Sequence, residues 1–199
     1  KKKIDILIST GGYMSLPFCL ASKILNIKIF LFEPNMVLGR SNKFFIKYCE
    51  MIFCYSSKIK NLPKKYKSKI SVIPALLRKN FYDVKKADGI DKNINLLIIG
   101  GSQGAKIFDT LIKSSIIKLS KKYSLKIYQQ TNPINFEGLK KFYKDKNIDY
   151  ELFDFNEDIS NLMSKSNICI TRAGASTLAE LVFLNLPCVA IPLPTSKDN

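Results

Sequence analysis

The chain has 199 residues, 46% of them hydrophobic, enough apolar material for one or two packed globular domains. Apolar runs such as IKIFLF and NLLIIG are far shorter than the roughly 20 residues a membrane-spanning helix needs, and the basic start KKKIDILIST lacks the apolar core and cleavage site of a secretory signal. The net charge of +16 suits nucleic acid or an anionic membrane surface, but all but three of the 32 cations are lysines spread along an isoleucine- and asparagine-rich chain, which composition alone explains equally well.

Short apolar segments alternate with helical patterns along the chain. Residues 4–9 (IDILIS) predict a strand, 14–25 a helix, 27–33 (IKIFLFE) a strand, 42–50 a helix, and MIFCYS and KISVIP two further strands. Residues 76–93, charged and without a clear period, read as a connection. The rhythm then restarts with a strand at 94–100 (INLLIIG), a helix to about 122, the strand LKIYQQ, a helix over FEGLKKFYKDK, the strand YELFDF, a short helix over DISNLMSKS, the strand ICITR, a helix over TLAELVFL and the strand CVAIPLP. Strands apolar throughout belong to parallel sheets covered by helices. The expectation is α/β, two doubly wound parallel-sheet domains: residues 1–76, a connection over 77–93, and residues 94–199.

The five cysteines, Cys19, Cys49, Cys54, Cys169 and Cys188, sit among apolar neighbours with no C-x-x-C pair and no histidine to complete a zinc site. They read as buried free thiols of a reducing compartment. The three arginines, Arg40, Arg78 and Arg172, fall in or beside expected loops, where the planar guanidinium suits phosphate or carboxylate.

Ligands of such sheets bind beyond the carboxyl ends of the strands, so the loops after strands deserve most weight. Four are unusual: STGGYMSLP (9–17), FEPNMVLGRSNK (32–43), GGSQGA (100–105) and TRAGAST (171–177). A helix start leaves backbone N–H groups unpaired, and glycines let anionic oxygens approach them. GGSQGA is therefore either an anion cradle or a tight turn with Ser102 as helix cap. It is not G-x-x-x-x-G-K-[ST], because Ala105 and Lys106 follow Gly104, so a P-loop nucleotidase is disfavoured. A nicotinamide-dinucleotide site wants an acidic residue ending the next strand, and that strand ends YQQT. Glu33 ends the strand after the first glycine loop, but the glycines there are adjacent and Pro17 enters the helix. There is no D-x-D pair for a metal-bound diphosphate and no histidine to act as a base.

Together the four loops resemble those of the bacterial peptidoglycan N-acetylglucosaminyltransferases, glycosyltransferase family 28. GGYMSLP is similar to the family's G-G-Y-x-S-x-P, FEPNMVLGRSNK to its H-E-Q-N-x-x-x-G-x-x-N-K, GGSQGA is identical to its donor-phosphate loop, and RAGASTLAE is similar to R-[SA]-G-A-x-T-x-x-E. The resemblance covers nearly all of residues 6–199. It implies a GT-B architecture of two Rossmann-like domains facing a cleft, both incomplete here. It also implies an inverting transfer, without metal or other cofactor, of N-acetylglucosamine from its uridine diphosphate donor to the undecaprenyl-diphosphate-linked muramoyl-pentapeptide. The implied setting is peripheral, at the cytoplasmic face of the bacterial inner membrane, with no nucleic-acid partner.

Carried over position by position, the resemblance implies that Ser102, Gln103 and Gly104 bind the donor diphosphate with Arg78, and that Asn35 lines the cleft. Asn156 would meet uracil through its backbone, and Ala175, Ser176 and Thr177 would line the nucleotide pocket. Glu180 would accept from the ribose diol; alternatively Thr177-x-x-Glu180 is a capping box serving its own helix. Gly11, Gly12 and Tyr13 would face the acceptor's diphosphate. The family's G-G-T-G-G-H loop, with its proposed base histidine, and the glutamines that hold the sugar have no counterpart here, so no catalytic base is assigned and no independent turnover is expected. Phe32 and Pro34 replace the family's histidine and glutamine beside Glu33, which weakens the Asn35 assignment. Two alternatives stand: another GT-B enzyme, such as a galactolipid synthase or a nucleotide-sugar epimerase, and a non-enzymatic binder of nucleic acid or acidic membrane.

Overall fold

Every strand pairing among the described residues is parallel, and the strands fall into two sheets. The computed structural model describes residues 3–84, 93–100 and 105–192. The chain divides into two units, residues 1–76 and 77–197.

The first unit runs β1 (Ile6–Ser9), α1 (Ser15–Ile24), β2 (Lys28–Glu33), α2 (Arg40–Phe45), β3 (Met51–Cys54), a 3₁₀ turn (Lys64–Lys69) and β4 (Ile70–Val72). The strand order is β1-β2-β3-β4, so every crossover steps the same way. Right-handed crossovers then set the connecting helices on one face. That face holds the core, where Leu31, Ile52 and Cys54 are fully buried with Cys19 of α1 and Phe45 of α2. On the opposite face Ile6 and Ile8 are exposed and Phe30 stacks on Phe53 at 6.0 Å. Pro17 is accommodated in the first turn of α1, where backbone N–H groups have no helical partner to lose.

α2 is shorter than the helix expected over 42–50. The backbone N–H groups of Tyr48 and Cys49 both turn back to the Phe45 carbonyl, and Glu50 donates to Ile29 in the sheet. The Lys69 ammonium then satisfies the carbonyls of Ile46 and Cys49, as cations do at helix ends.

The second unit opens with a 3₁₀ turn (Lys79–Tyr82), inside the segment expected to be a connection, and Phe81 of that turn is fully buried in the core with Leu77 and Val84 beside it. It continues through β5 (Asn93–Ile99), α3 (Ala105–Leu111), α4 (Lys113–Ser120), β6 (Ser124–Gln130), a 3₁₀ turn (Pro133–Asn135), α5 (Phe136–Asp145), β7 (Asp149–Phe153), α6 (Ile159–Lys165), β8 (Ile168–Thr171), α7 (Ala175–Phe183) and β9 (Cys188–Ala190). The strand order β7-β6-β5-β8-β9 grows to one side of β5 and then reverses. Opposite directions of travel put helices on both faces, and two buried clusters result. Leu97, Ile99 and Cys169 pack with α6 and α7, while Leu96, Ile98 and Ile127 pack with α3, α4 and α5. The single helix expected to reach about residue 122 is two, meeting at Ile112, yet Phe108, Ile112 and Ile116 keep one buried face across the junction.

Three helices end by one device. Asn26, Asn147 and Asn185 follow α1, α5 and α7 with φ of 52°, 52° and 51°. The next residues, Ile27, Ile148 and Leu186, return backbone bonds to Ser22, Tyr143 and Leu181. Glycine is usual at this left-handed position, and asparagine is the residue that next best tolerates it. Of the cysteines, Cys19, Cys49, Cys54 and Cys169 are buried as expected, whereas Cys188, on strand β9 at the sheet edge, is exposed.

Candidate functional site

The reversal of strand order in the second sheet falls between β5 and β8, and such reversal points open a crevice at the carboxyl ends of the strands. Ser102, Gln103 and Gly104, the expected phosphate cradle, lie outside the described residues. Their flanks are firmly held. Gly100 donates its N–H to Gln130 Oε1 at 3.2 Å, and Gln130 Nε2 donates to the Asp154 carbonyl at 3.0 Å. On α3, buried Asp109 accepts from Gln129 Nε2 at 2.8 Å, Thr131 Oγ1 at 2.7 Å and Asn135 Nδ2 at 2.7 Å. Tyr143 donates its hydroxyl to Gln129 Oε1. Burial, reinforced by the Asp109 charge, pushes that phenol well above its ordinary value, so it stays a donor. This buried network fixes α3, and therefore the start of the helix after the glycine loop, against the end of β6.

Across the crevice, β8 ends at Thr171 and α7 begins at Ala175, with Gly174 as its N-cap residue. Ala175 and Thr177 are half-buried and Ser176 is exposed. Because the helix starts there, Thr177 sits inside it and the expected Thr177–Glu180 capping box does not form. Glu180 instead faces Arg78, whose Nε and Nη2 lie 3.1 and 2.9 Å from Glu180 Oε1. Glu180 is 7% exposed. Burial raises its carboxyl above the ordinary range, and the Arg78 guanidinium opposes that rise. Arg78 also lies over the Phe81 ring, 5.2 Å from its centroid. Asn156, half-buried in the loop after β7, accepts the Asp158 N–H on its Oδ1 at 2.8 Å, a side-chain turn that leaves its backbone to define the loop.

Arg172 differs from the expectation of a phosphate ligand. Its Nη1 donates to the carbonyls of Ile191 and Pro192 at 3.2 and 3.0 Å, and its guanidinium lies 5.1 Å from the Phe108 ring centroid. It ties the ends of β8 and β9 to α3, although its buried Nε has no partner among the described residues.

The first unit carries its own pair of loops at the carboxyl edge of its sheet. Gly11 and Gly12 have φ of 80° and 81°, a region that side-chain-bearing residues avoid. Gly11 donates to Ser9 Oγ at 3.2 Å, and Tyr13 is exposed. The loop after β2 is organised by buried Glu33: Oε1 accepts from Asn35 N and Nδ2 at 3.2 and 3.0 Å, and Oε2 from Gly39 N and Asn42 Nδ2 at 2.8 and 3.0 Å. Asn35, expected to line a cleft, thus spends its amide N–H on Glu33. Sequence reasoning missed Asn42 and Asp109, both polar residues at positions that a helical pattern assigns to the buried face, which is the signal that could have found them.

Residues 95–199 match the glycosyltransferase family 28 C-terminal domain, and residues 1–54 the glycosyltransferase family 28 N-terminal domain. The UDP-N-acetylglucosamine--N-acetylmuramyl-(pentapeptide) pyrophosphoryl-undecaprenol N-acetylglucosamine transferase of Pelagibacter ubique (strain HTCC1062) is 69% identical over 199 residues, covering 100% of this chain and 56% of that protein. The chain therefore spans little more than half the length of that relative. The crystal structure of Acinetobacter baumannii MurG has a TM-score of 0.78 at 27% identity, covering 98% of this chain and 54% of that one. A UDP-GlcNAc 2-epimerase from Neisseria meningitidis, at a TM-score of 0.61, 15% identity and coverage of 94% and 58%, shares the fold alone. The expected fold class, parallel-sheet α/β with GT-B neighbours, agrees with these likenesses.

Proposed function

The chain belongs to glycosyltransferase family 28, and from that premise we propose that it forms the donor-binding unit, with part of the acceptor-binding unit, of a UDP-N-acetylglucosamine-dependent transferase of peptidoglycan synthesis. Its acceptor is undecaprenyl-diphospho-N-acetylmuramoyl-pentapeptide, the class of acceptor contained in the Pelagibacter relative's name. The observation that supports this most is the Arg78–Glu180 pair at the head of the second unit. A nucleoside diphosphate presents a ribose diol, which donates to a carboxylate, and phosphates, which a guanidinium binds. One pair supplies both groups.

In this reading Glu180 accepts from the ribose hydroxyls and Ala175, Ser176 and Thr177 line the nucleotide pocket. The Asn156 loop meets uracil, and Ser102, Gln103 and Gly104 bind the diphosphate together with Arg78. Gly11, Gly12 and Tyr13 face the acceptor's diphosphate, and Asn35 has its carboxamide oxygen left for a ligand. The acceptor hydroxyl attacks the anomeric carbon, the bond from that carbon to the diphosphate oxygen breaks, its electron pair leaves with uridine diphosphate, and the hydroxyl proton passes to water, no base being assigned in this chain. Negative charge grows on the leaving diphosphate, so donors aimed at it bind the transition state more tightly than the ground state. A polyprenyl-anchored acceptor sets the reaction at a membrane surface, here the cytoplasmic face of the bacterial inner membrane. No helix among the described residues is long and apolar enough to cross a membrane.

Calorimetric titration with UDP-N-acetylglucosamine and with its adenosine counterpart, at two salt concentrations, tests the proposal. At least tenfold preference for the uridine compound with a shallow salt dependence is expected. Equal affinities that collapse with salt would instead favour a nonspecific polyanion binder.

A further inference from the structure

We infer that Gln130 is a positioning residue that spaces the glycine loop beginning at Gly100 from the loop after β7, so that a nucleoside diphosphate, which must reach both loops at once, depends on it and a fragment that reaches one does not. The inference rests on the donor site proposed above and concerns a residue given no ligand contact there. β6 ends at Gln130, between β5 and β7, with Ile98 opposite Gln129 on one side and Phe153 opposite Gln130 on the other. One planar amide serves both neighbours: Oε1 accepts from Gly100 N at 3.2 Å, and Nε2 donates to the Asp154 carbonyl at 3.0 Å. Neither amide atom can take the other's place, since a carboxamide oxygen only accepts and its nitrogen only donates.

Side chains alternate along a strand, and the residues at the end of β6 hold different partners on its two faces. Gln129 and Thr131 turn to one face and bind Asp109 of α3, the helix that follows the glycine loop. Gln130, two residues beyond Tyr128, shares the opposite face, against which α6 and α7 pack. The loop after β7 is braced from within. Asn156 Oδ1 accepts from Asp158 N, and Asp158 Oδ1 accepts from Ser160 Oγ at 2.6 Å and from Asn161 N at 3.3 Å at the start of α6. A loop braced in this way keeps its own shape, so what Gln130 sets is its distance from Gly100. The end of the sheet is already held by backbone, because Thr131 N donates to the Phe153 carbonyl at 2.9 Å. Satisfying the buried Gly100 N–H would need an acceptor alone; the simultaneous bond to Asp154 is what makes the side chain a spacer.

The test titrates UDP, uridine and inorganic diphosphate into the 199-residue chain and two variants, reading binding from the amide shifts of Gly100 and Asn156. Gln130→Met keeps the length of the side chain and removes both hydrogen bonds. It is expected to weaken UDP at least tenfold while uridine and inorganic diphosphate each lose less than threefold, and its Gly100 amide should exchange with solvent at least tenfold faster. Gln130→Glu supplies a rescue. Ionised, its carboxylate accepts from Gly100 but repels the Asp154 carbonyl; protonated, it accepts from one and donates to the other, as the amide does. Its UDP affinity relative to the unsubstituted chain, a ratio that cancels titration of Glu180 and of the nucleotide, should recover at least threefold between pH 8 and pH 4.5, which a generally loosened fold would not show. Full UDP binding by Gln130→Met, equal losses for UDP and both fragments, or a Gln130→Glu ratio indifferent to pH would each overturn the inference. Those outcomes leave UDP bound to the unsubstituted chain and the donor assignment intact. Absence of UDP binding by the unsubstituted chain defeats the donor assignment, and the inference with it.

Discussion

Arg78 and Glu180, 102 positions apart in sequence, meet on a single carboxylate oxygen, with both Arg78 Nε and Nη2 donating to Glu180 Oε1. Oε2 lies outside the pair, which lets the carboxylate hold the guanidinium in place while presenting a second acceptor to a diol. In the proposed role the pair positions as well as contacts the nucleotide, and removing either member should weaken UDP binding at least tenfold.

The two members should differ in their effect on stability. Burial raises the Glu180 carboxyl despite Arg78, so the fold binds this proton more tightly than the unfolded chain does. Its ionisation then costs stability as pH rises from the unfolded value, roughly 4.3, through the higher folded one. Glu180→Gln should melt above the parent at pH 7, the gain vanishing as pH falls through the ordinary carboxylate range. Arg78→Ala, which leaves a buried carboxylate without its half-exposed partner, should cost about 1–3 kcal/mol at pH 7. Melting curves across pH 4–8 check both.

Glu33 accepts four hydrogen bonds from residues 35–42. Glu33→Ala strands those donors, and a loss of about 2–4 kcal/mol is expected from unsatisfied buried groups. The urea midpoint should fall with an unchanged m-value, and limited proteolysis should cut first within residues 34–42. Unchanged resistance there would show that the loop is held by something other than its acid.

Gly11 and Gly12 share a positive φ but differ in surroundings. A Cβ on Gly11 would come 3.2 Å from Asn42 Nδ2, while one on Gly12 meets nothing within 4 Å. Both alanine variants carry backbone strain of about 1–2 kcal/mol, and Gly11→Ala must also displace Asn42 from Glu33. Its melting temperature should lie roughly 2–4 °C below that of Gly12→Ala.

Thiol chemistry offers a direct check on the core. Burial pushes Cys54 up to about 11, and raises Cys49 and Cys169 as well, whereas Cys188 is exposed. Ellman's reagent at pH 8 should modify one thiol quickly, Cys188, and the remaining four only on unfolding. Two or more fast thiols would contradict the packing of the cores that bury Cys19, Cys49 and Cys54 in the first unit and Cys169 in the second.

Much of this was legible in the sequence because its signals are local. Apolar runs bounded by turn residues mark the strands from IDILIS to CVAIPLP, and the glycine loops mark strand-to-helix junctions. What failed depended on partners distant in sequence. The spacing Thr177-x-x-Glu180 offers a capping box as the alternative role for Glu180, but the helix starts at Ala175 and the glutamate's partner is Arg78. Arg172 looks like an anion ligand until Ile191 and Pro192 arrive beside it. Asp109 sits among the apolar residues of α3, and only the pairing of β5 with β6 reveals that Gln129 and Thr131 wait opposite. The helix endings at Asn26, Asn147 and Asn185 were obscured for another reason: asparagine is frequent throughout this chain, so no single one stands out.

The central claim is that uridine diphosphate is held at the carboxyl edge of the second sheet, between β5 and β8. Amide chemical shifts recorded while UDP is titrated into the chain test it most directly. The account predicts saturable shifts at Gly100–Ala105, Asn156, Ala175–Glu180 and the Arg78 side-chain N–H, and at least tenfold weaker binding of ADP. Shifts confined to residues 1–76, or the same pattern with ADP at equal affinity, would contradict it.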